Sequence, residues 1–180
     1  MKKQLIAIIV GGLILFIWQF LSWAALGVHN SEYGYTANQD KIMEALNQNL
    51  TEAGTYMIPG VPLGTSHEQA EALMQPNMGK PWASISYHKA FNMNMGMNMI
   101  RGFVVDLLAA FLLSWLLLRF ANLNMRTAVQ SSIFVGLIGY LTIPYLNSIW
   151  FENNSMGHLI DALVSWGLVG VWLGWWLPRE

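Results

Sequence analysis

Four long apolar stretches limit what this sequence can fold into. They cover residues 4–26, 99–120, 128–150 and 157–177. A helix needs about 20 apolar residues to cross a hydrocarbon core roughly 30 Å thick, and each stretch has that length. The sequence therefore predicts an α-helical integral membrane protein with four transmembrane helices.

The composition agrees with a bilayer as the main partner of the chain. Hydrophobic residues make up 54% of the sequence and charged residues only 11%, whereas ordinary soluble domains carry about 25% charged residues. The net charge of −1 lacks the basic face that nucleic-acid binding requires. The absence of cysteine excludes disulfides, thiolate metal sites and thiol catalysis.

The first apolar stretch has two interpretations. Lys2 and Lys3 before an apolar run are also typical of a secretory signal peptide, and residues 22–24 offer a weak cleavage site. The run exceeds 20 residues and contains Trp18 and Trp23, so it is longer than the apolar core of a usual signal peptide. We therefore expect an uncleaved anchor.

Positive charges predict the direction of the spans. Cytoplasmic loops carry an excess of Lys and Arg. With a cytoplasmic N terminus, the short cytoplasmic segments contain five such residues: Lys2, Lys3, Arg119, Arg126 and Arg179. We expect both termini in the cytoplasm of a bacterial inner membrane.

This direction divides the chain into three parts. Residues 1–26 form an anchor, residues 27–98 a small α+β extracytoplasmic domain between the first and second helices, and residues 99–180 a three-helix block. Within the middle part, the residues expected to be helical are 40–53 and 66–74, with extended segments at 55–59 and 82–87. Ser66 followed by Gln69 suits a helix-capping box.

Two carboxylates fall inside predicted spans. Asp106 and Asp161 lie near the outer ends of the second and fourth helices, where a charge costs energy and often marks a functional site. One hypothesis is a proton, cation or ligand site that also uses Arg101 and His158. The other is a pair of edge acids that reach water or are neutralised by Arg101 or His158.

A methionine run precedes the second span. Met93, Met95, Met97 and Met99 alternate with polar or small residues, and His88 lies nearby. Thioethers suit Cu(I), so extracytoplasmic copper handling is one interpretation. Flexible gap-filling in helix packing is the other. No other cofactor is expected.

The remaining residues do not indicate an enzyme. No phosphate-binding loop and no G-x-S-x-G or S-x-x-K hydrolase motif is present. Zinc requires three or four convergent ligands, and we identify no H-x-x-x-H or H-x-x-E spacing, so no zinc site is expected. An enzyme at the outer face would have to use His29, Glu32, Asp40 or His67, and their spacing does not indicate a catalytic set. In the third span, Ser132, Gly136 and Gly139 suit close helix packing, and Pro144 predicts a kink. A small polar pocket beside Tyr140, Thr142 and Tyr145 is one interpretation of that kink, and helix packing is the other.

Three short motifs carry a resemblance. They are GG-L-x-L-F-x-W-x-x-x-S-W at residues 11–23, L-x-x-H-N at 26–30 and G-x-Y-x-x-P at 54–59. With the late three-helix block, the chain resembles a family of small bacterial inner-membrane proteins of unassigned function. The resemblance implies the topology and a bacterial origin, and it assigns no site residues.

Three functions stay open at this point. The first is a non-enzymatic accessory, assembly or scaffold subunit of a larger membrane complex, with membrane-protein partners or further copies of the chain. The second is a small transporter or ligand binder that uses the intramembrane carboxylates. The third is Cu(I) handling by the methionine run.

Overall fold

The computed structural model describes residues 2–178 and is mostly helical. Four helical segments are long and apolar enough to cross a membrane: Lys2–Ala25, Met95–Leu117, Met125–Phe151 and Met156–Trp176. They confirm the four predicted helices and differ from them by a few residues at the ends. Arg179, which contributed to the predicted direction, lies outside the described residues.

The chain forms seven α-helices and two strands within the described residues. In order they are α1 (Lys2–Phe20), α2 (Gln39–Asn49), β1 (Gly54–Ile58), α3 (His67–Met74), β2 (Ala83–Tyr87), α4 (Met95–Leu117), α5 (Met125–Tyr140), α6 (Leu146–Phe151) and α7 (Met156–Trp176). A π-helical turn, Leu21–Ala25, extends α1, and a second one, Leu141–Tyr145, joins α5 to α6. The second turn contains Pro144, which confirms the predicted irregularity in the third span.

The long helices pack side by side through small residues. Helix α1 packs on α4 and α7, and α5 packs along α7. A Cβ atom at Gly12 of α1 would lie 2.7 Å from Leu107 Cδ2, and one at Gly136 of α5 would lie 2.5 Å from Trp166 Cδ1. Glycine therefore lets the backbones approach closely, as is typical of membrane helices. Gly136 confirms the predicted packing role, whereas Gly139 has no such neighbour within 4 Å.

Residues 35–93 form a second compact unit, separate from the helical unit made of the chain up to Gly34 and from Asn94 onward. Its two strands pair antiparallel, with Gly54 opposite Tyr87, as the two extended segments predicted. Ser66 caps α3 by accepting a hydrogen bond from the Gln69 backbone N–H at 3.3 Å. Helix α2 is shorter than expected because Leu50 already adopts an extended conformation.

Candidate functional site

The densest group of polar side chains in the helical unit lies where α1 ends and α7 begins. At its centre is His29, whose side chain is only 3% exposed. Its Nδ1 atom lies 2.7 Å from Glu32 Oε1, and its Nε2 atom lies 2.9 Å from Asp161 Oδ2. One imidazole ring is therefore held between two carboxyl groups. We call His29, Glu32, His158 and Asp161 the polar cluster.

The segment after α1 brings His29 and Glu32 together. Gly27 adopts a left-handed conformation with φ of 62°, which glycine accommodates without strain. Two turns follow, with the Asn30 N–H donating to the Gly27 carbonyl and the Glu32 N–H to the His29 carbonyl. The chain thus folds back over the end of α1 and places Glu32 beside the His29 ring.

Trp23 fixes the orientation of that ring. Its indole lies in the π-helical turn that extends α1. The Trp23 and His29 rings stack with centroids 3.8 Å apart and an angle of 6° between their planes. Stacking against the indole adds to the packing that holds the His29 imidazole. In this orientation, one nitrogen of the His29 ring faces Glu32 and the other faces Asp161. π-Helical turns are frequent at functional sites.

Asp161 lies one turn into α7 and forms hydrogen bonds with three side chains. Trp18 Nε1 donates to Oδ1 at 2.9 Å and Ser22 Oγ donates to the same oxygen at 2.5 Å. The other oxygen, Oδ2, faces His29 Nε2. Helix α1 and the segment after it thereby fix the carboxylate of α7 in one orientation.

The first turn of α7 approaches Glu32 closely. A Cβ atom at Gly157 would lie 2.6 Å from Glu32 Oε1 and 2.7 Å from His29 Nδ1, so any larger residue would collide with both. The partial positive charge at a helix N terminus favours a carboxylate there. Gly157 therefore creates the space that Glu32 occupies.

His158 completes the cluster on its more exposed side. Its Nε2 atom lies 3.4 Å from Glu32 Oε2, and its ring is 38% exposed. One ligand-type atom each from His29, Glu32 and His158 lies within 4.8 Å of the other two. The statement that no H-x-x-E spacing is present was wrong, because His29 and Glu32 have this spacing.

The cluster combines two acidic side chains, Glu32 and Asp161, with two imidazoles, those of His29 and His158. The two carboxyl groups occupy both nitrogens of the His29 ring, and which of these atoms donates depends on the tautomer of the imidazole.

A cavity of about 370 Å³ opens beside the cluster. Glu32 and His158 form part of its wall, and the rest comes from the loop before α7 and the turn around Pro144. Its other lining residues are Tyr33, Ile143, Pro144, Asn147, Asn153, Asn154 and Ser155. Tyr140, Thr142 and Tyr145, beside which one interpretation placed a polar pocket, do not line this cavity. The cavity adjoins the polar cluster through Glu32 and His158.

Asp106 occupies a separate position on α4. It is buried and accepts a hydrogen bond from Gln19 Nε2 at 2.8 Å, while its Oδ2 atom has no hydrogen-bond partner among the described residues. It does not contact Asp161. Arg101 is exposed and forms no ion pair within residues 2–178. Neutralisation by Arg101 or by His158 is therefore not observed, because the imidazole that contacts Asp161 is His29.

The methionine run spans the start of α4. Met95, Met97 and Met99 lie in the helix and Met93 precedes it, and all four side chains are exposed. Met95 and Met99 are one helical turn apart, whereas Met97 is about 200° around the helix from either of them. His88 Nε2 lies 3.2 Å from Ser86 Oγ. Copper handling stays a prediction.

Sequence reasoning missed the partners of Asp161. Trp18, Ser22 and His29 are more than 130 residues away from it in the chain, and only the packing of α1 on α7 brings them together. The H-x-x-E spacing directly after an apolar span was the one local signal available. No family model, curated protein or solved structure matches the chain.

Proposed function

We propose that this chain is a multi-pass membrane protein that binds a cation at the polar cluster. One observation carries the proposal: His29 lies between the carboxyl groups of Glu32 and Asp161 beside a cavity. A carboxylate with low exposure attracts a positively charged ligand more strongly than it does in water. The proposal selects the ligand-binding hypothesis and places the ligand at the polar cluster, which includes Asp161 and not Asp106.

A structural role alone explains the cluster less well. A clamp between α1 and α7 needs only hydrogen-bonded neutral groups, because burying charges costs free energy that pairing does not always recover. The cluster instead contains two acids and two imidazoles, and Glu32 and His158 extend it to the cavity wall. Both residues line the cavity, where they can contact a ligand.

Helix α1 carries a second polar contact one turn before Ser22. Gln19 and Ser22 are three residues apart, which is about 4.5 Å along a helix. Gln19 donates a hydrogen bond to Asp106, and Ser22 donates one to Asp161. Each carboxylate therefore has its own partner on α1, and Asp106 is not part of the proposed binding site.

The proposed location follows from the charge distribution. In a bacterial inner membrane with both termini in the cytoplasm, the end of α1 and the start of α7 face the extracytoplasmic side. The polar cluster then lies at the outer membrane boundary, and residues 35–93 extend into the extracytoplasmic space. A cation would reach the cluster from outside.

The test is a cation panel on the purified chain in nanodiscs. We expect at least one of Na⁺, K⁺, Mg²⁺, Zn²⁺ or a small organic ammonium ion to raise the melting temperature at saturation, since a ligand of the folded state stabilises it by about 2.7 kcal/mol at 100 times its Kd. Glu32→Gln should abolish the shift because it removes one negative charge. The exposed His67→Ala serves as the matched control and should retain it. No shift with any cation, or an equal shift in Glu32→Gln, contradicts the proposal.

Residues 35–93 favour a second candidate, an accessory subunit of a larger membrane complex. Neither α2 nor α3 has a buried residue, and large apolar side chains such as Leu63, Met78 and Phe91 are exposed. A domain of this size buries little surface alone, so a protein partner would supply the missing contacts.

The subunit candidate predicts a stable complex in native membranes. Mild extraction of the tagged chain should recover a protein partner in fixed stoichiometry, and the pair Leu63→Ser with Phe91→Ser should lose that partner. Because both side chains are already exposed, the double variant should keep its melting temperature. A monodisperse protomer from gentle extraction is the result that opposes this candidate.

A further inference from the structure

We propose that the cation is a divalent transition metal of the zinc class, bound by His29 Nδ1, the Glu32 carboxylate and His158 Nε2. This inference rests on the proposed function and names the ligand of the same cluster. Imidazole and carboxylate are ligands that Zn²⁺ takes in proteins, often as two histidines and one glutamate. Hard cations such as Mg²⁺ prefer oxygen ligands throughout, which this cluster does not supply.

The distances within the cluster are close to those a metal requires. Zinc bonds of about 2.0–2.1 Å in tetrahedral geometry place neighbouring ligand atoms about 3.3 Å apart. His158 Nε2 and Glu32 Oε2 are already 3.4 Å apart. His29 Nδ1 and Glu32 Oε1 are 2.7 Å apart, so they need to separate by about 0.6 Å as their hydrogen bond is replaced by two metal bonds.

Asp161 supplies the outer partner that metal-binding histidines usually have. Such a histidine donates its second ring N–H to a carboxylate, which fixes the tautomer and orients the ring. Here His29 Nε2 lies 2.9 Å from Asp161 Oδ2, so Nδ1 is left to face Glu32 and His158. Trp18 and Ser22 hold Asp161 in turn. Asp161 is thus a positioning residue and not a ligand.

The site is organised before any metal enters. Trp23 stacks on the His29 ring, two turns fix the segment from Gly27 to Glu32, and Gly157 leaves room for the Glu32 carboxylate. Ordering these groups costs little on binding, because their conformational freedom is already restricted.

Three protein ligands leave a tetrahedral metal with one open position. Structural zinc sites use four protein ligands, whereas sites that exchange a ligand use three and keep the fourth for water or substrate. The cavity beside Glu32 and His158 lies on that open side. Its asparagine side chains, including Asn147 and Asn154, can hydrogen-bond a metal-bound water or anion.

The test uses the full chain in nanodiscs, stripped of metal with a chelator. Zn²⁺ titration should show one site per chain, and Co²⁺ should give the visible absorption bands of tetrahedral coordination. His158→Gln keeps a donor toward Glu32 and removes a ligand, so it should lose the Co²⁺ bands and lower the Zn²⁺ affinity more than 100-fold. Asp161→Asn should lower the affinity roughly 10- to 100-fold, the usual effect of losing an outer partner, and keep tetrahedral bands.

Two controls locate the site. His67→Ala removes an exposed histidine of α3, and Asp106→Asn alters a buried acid away from the cluster, so both should bind Zn²⁺ within twofold of the unaltered chain. The inference is overturned if Co²⁺ gives no tetrahedral bands or if His158→Gln and Glu32→Gln bind like the unaltered chain. Should Na⁺ or an organic ammonium ion stabilise the chain through Glu32 while Zn²⁺ and Co²⁺ do not bind, the metal inference fails and the proposed function stands. If no cation binds to the chain, both the metal inference and the proposed function are contradicted.

Discussion

Replacing Asp161 by alanine should lower the free energy of unfolding by about 3 kcal/mol, the lower end of the range for removing one partner of a buried ion pair. The lower end applies because Asp161 is 20% exposed. The substitution leaves Trp18 Nε1, Ser22 Oγ and His29 Nε2 without their acceptor, and the side chains of Ser22 and His29 are buried. Reversible unfolding by SDS in mixed micelles measures the change.

Two further variants make this result specific. Asp161→Asn keeps an oxygen that accepts from Trp18 and Ser22, so its loss of stability should be smaller than that of the alanine variant. Glu71→Ala removes an exposed acid from α3 and should change the free energy of unfolding by less than about 0.5 kcal/mol. An Asp161→Ala chain as stable as the Glu71→Ala chain would show that the hydrogen bonds to Asp161 do not hold α1 and α7 together.

Replacing Gly157 by alanine should weaken cation binding without removing any ligand. The new Cβ would lie 2.6 Å from Glu32 Oε1 and 2.7 Å from His29 Nδ1, so one or both side chains have to move. Overpacking of this kind costs about 1–3 kcal/mol. If that cost reduces the free energy of binding, the affinity falls roughly 5- to 150-fold. Isothermal titration with Zn²⁺ in nanodiscs measures it.

Gly167 provides the matched control on the same helix. A Cβ atom there meets no other atom within 4 Å, so Gly167→Ala should bind Zn²⁺ as the unaltered chain does. Both substitutions also change helix propensity in the same direction, and the comparison removes that effect. Equal affinity of the Gly157→Ala and Gly167→Ala chains is the outcome that speaks against the site.

The spans were predictable from the sequence because hydrophobic length alone determines them. A run of about 20 apolar residues has few other stable environments. The local signals in residues 35–93 also held, since Ser66 caps α3 and the two extended segments pair as strands. The predicted end of α2 was wrong. Leu50 suited the apolar face of the predicted helix, but its backbone is extended, and the helix ends at Asn49.

The polar cluster was only partly predictable. Asp161 and His158 were identified because an ionisable residue in or beside an apolar span is unusual. Their expected interaction with each other follows from helix spacing, which says nothing about side chains on another helix. His29 and Glu32 lie in a connecting segment, and their positions depend on how α1 packs against α7. No periodicity in one sequence contains that information.

The polar cluster changes the interpretation of the two intramembrane acids. Asp106 and Asp161 were both candidates for one ligand or proton site, and each has its own partner on α1. Asp161 orients a histidine, and Asp106 retains an oxygen with no hydrogen-bond partner in the described part of the chain. In the proposed cation binder, the ligands are thus His29, Glu32 and His158, while Asp161 has a positioning role.

X-ray absorption at the zinc edge of the Zn²⁺-loaded chain in nanodiscs tests the central claim most directly. The proposal predicts nitrogen and oxygen neighbours at about 2.0–2.1 Å, with outer scattering from two imidazole rings that falls to one ring in His158→Gln. A spectrum with no imidazole scattering, or one that His158→Gln leaves unchanged, would contradict it.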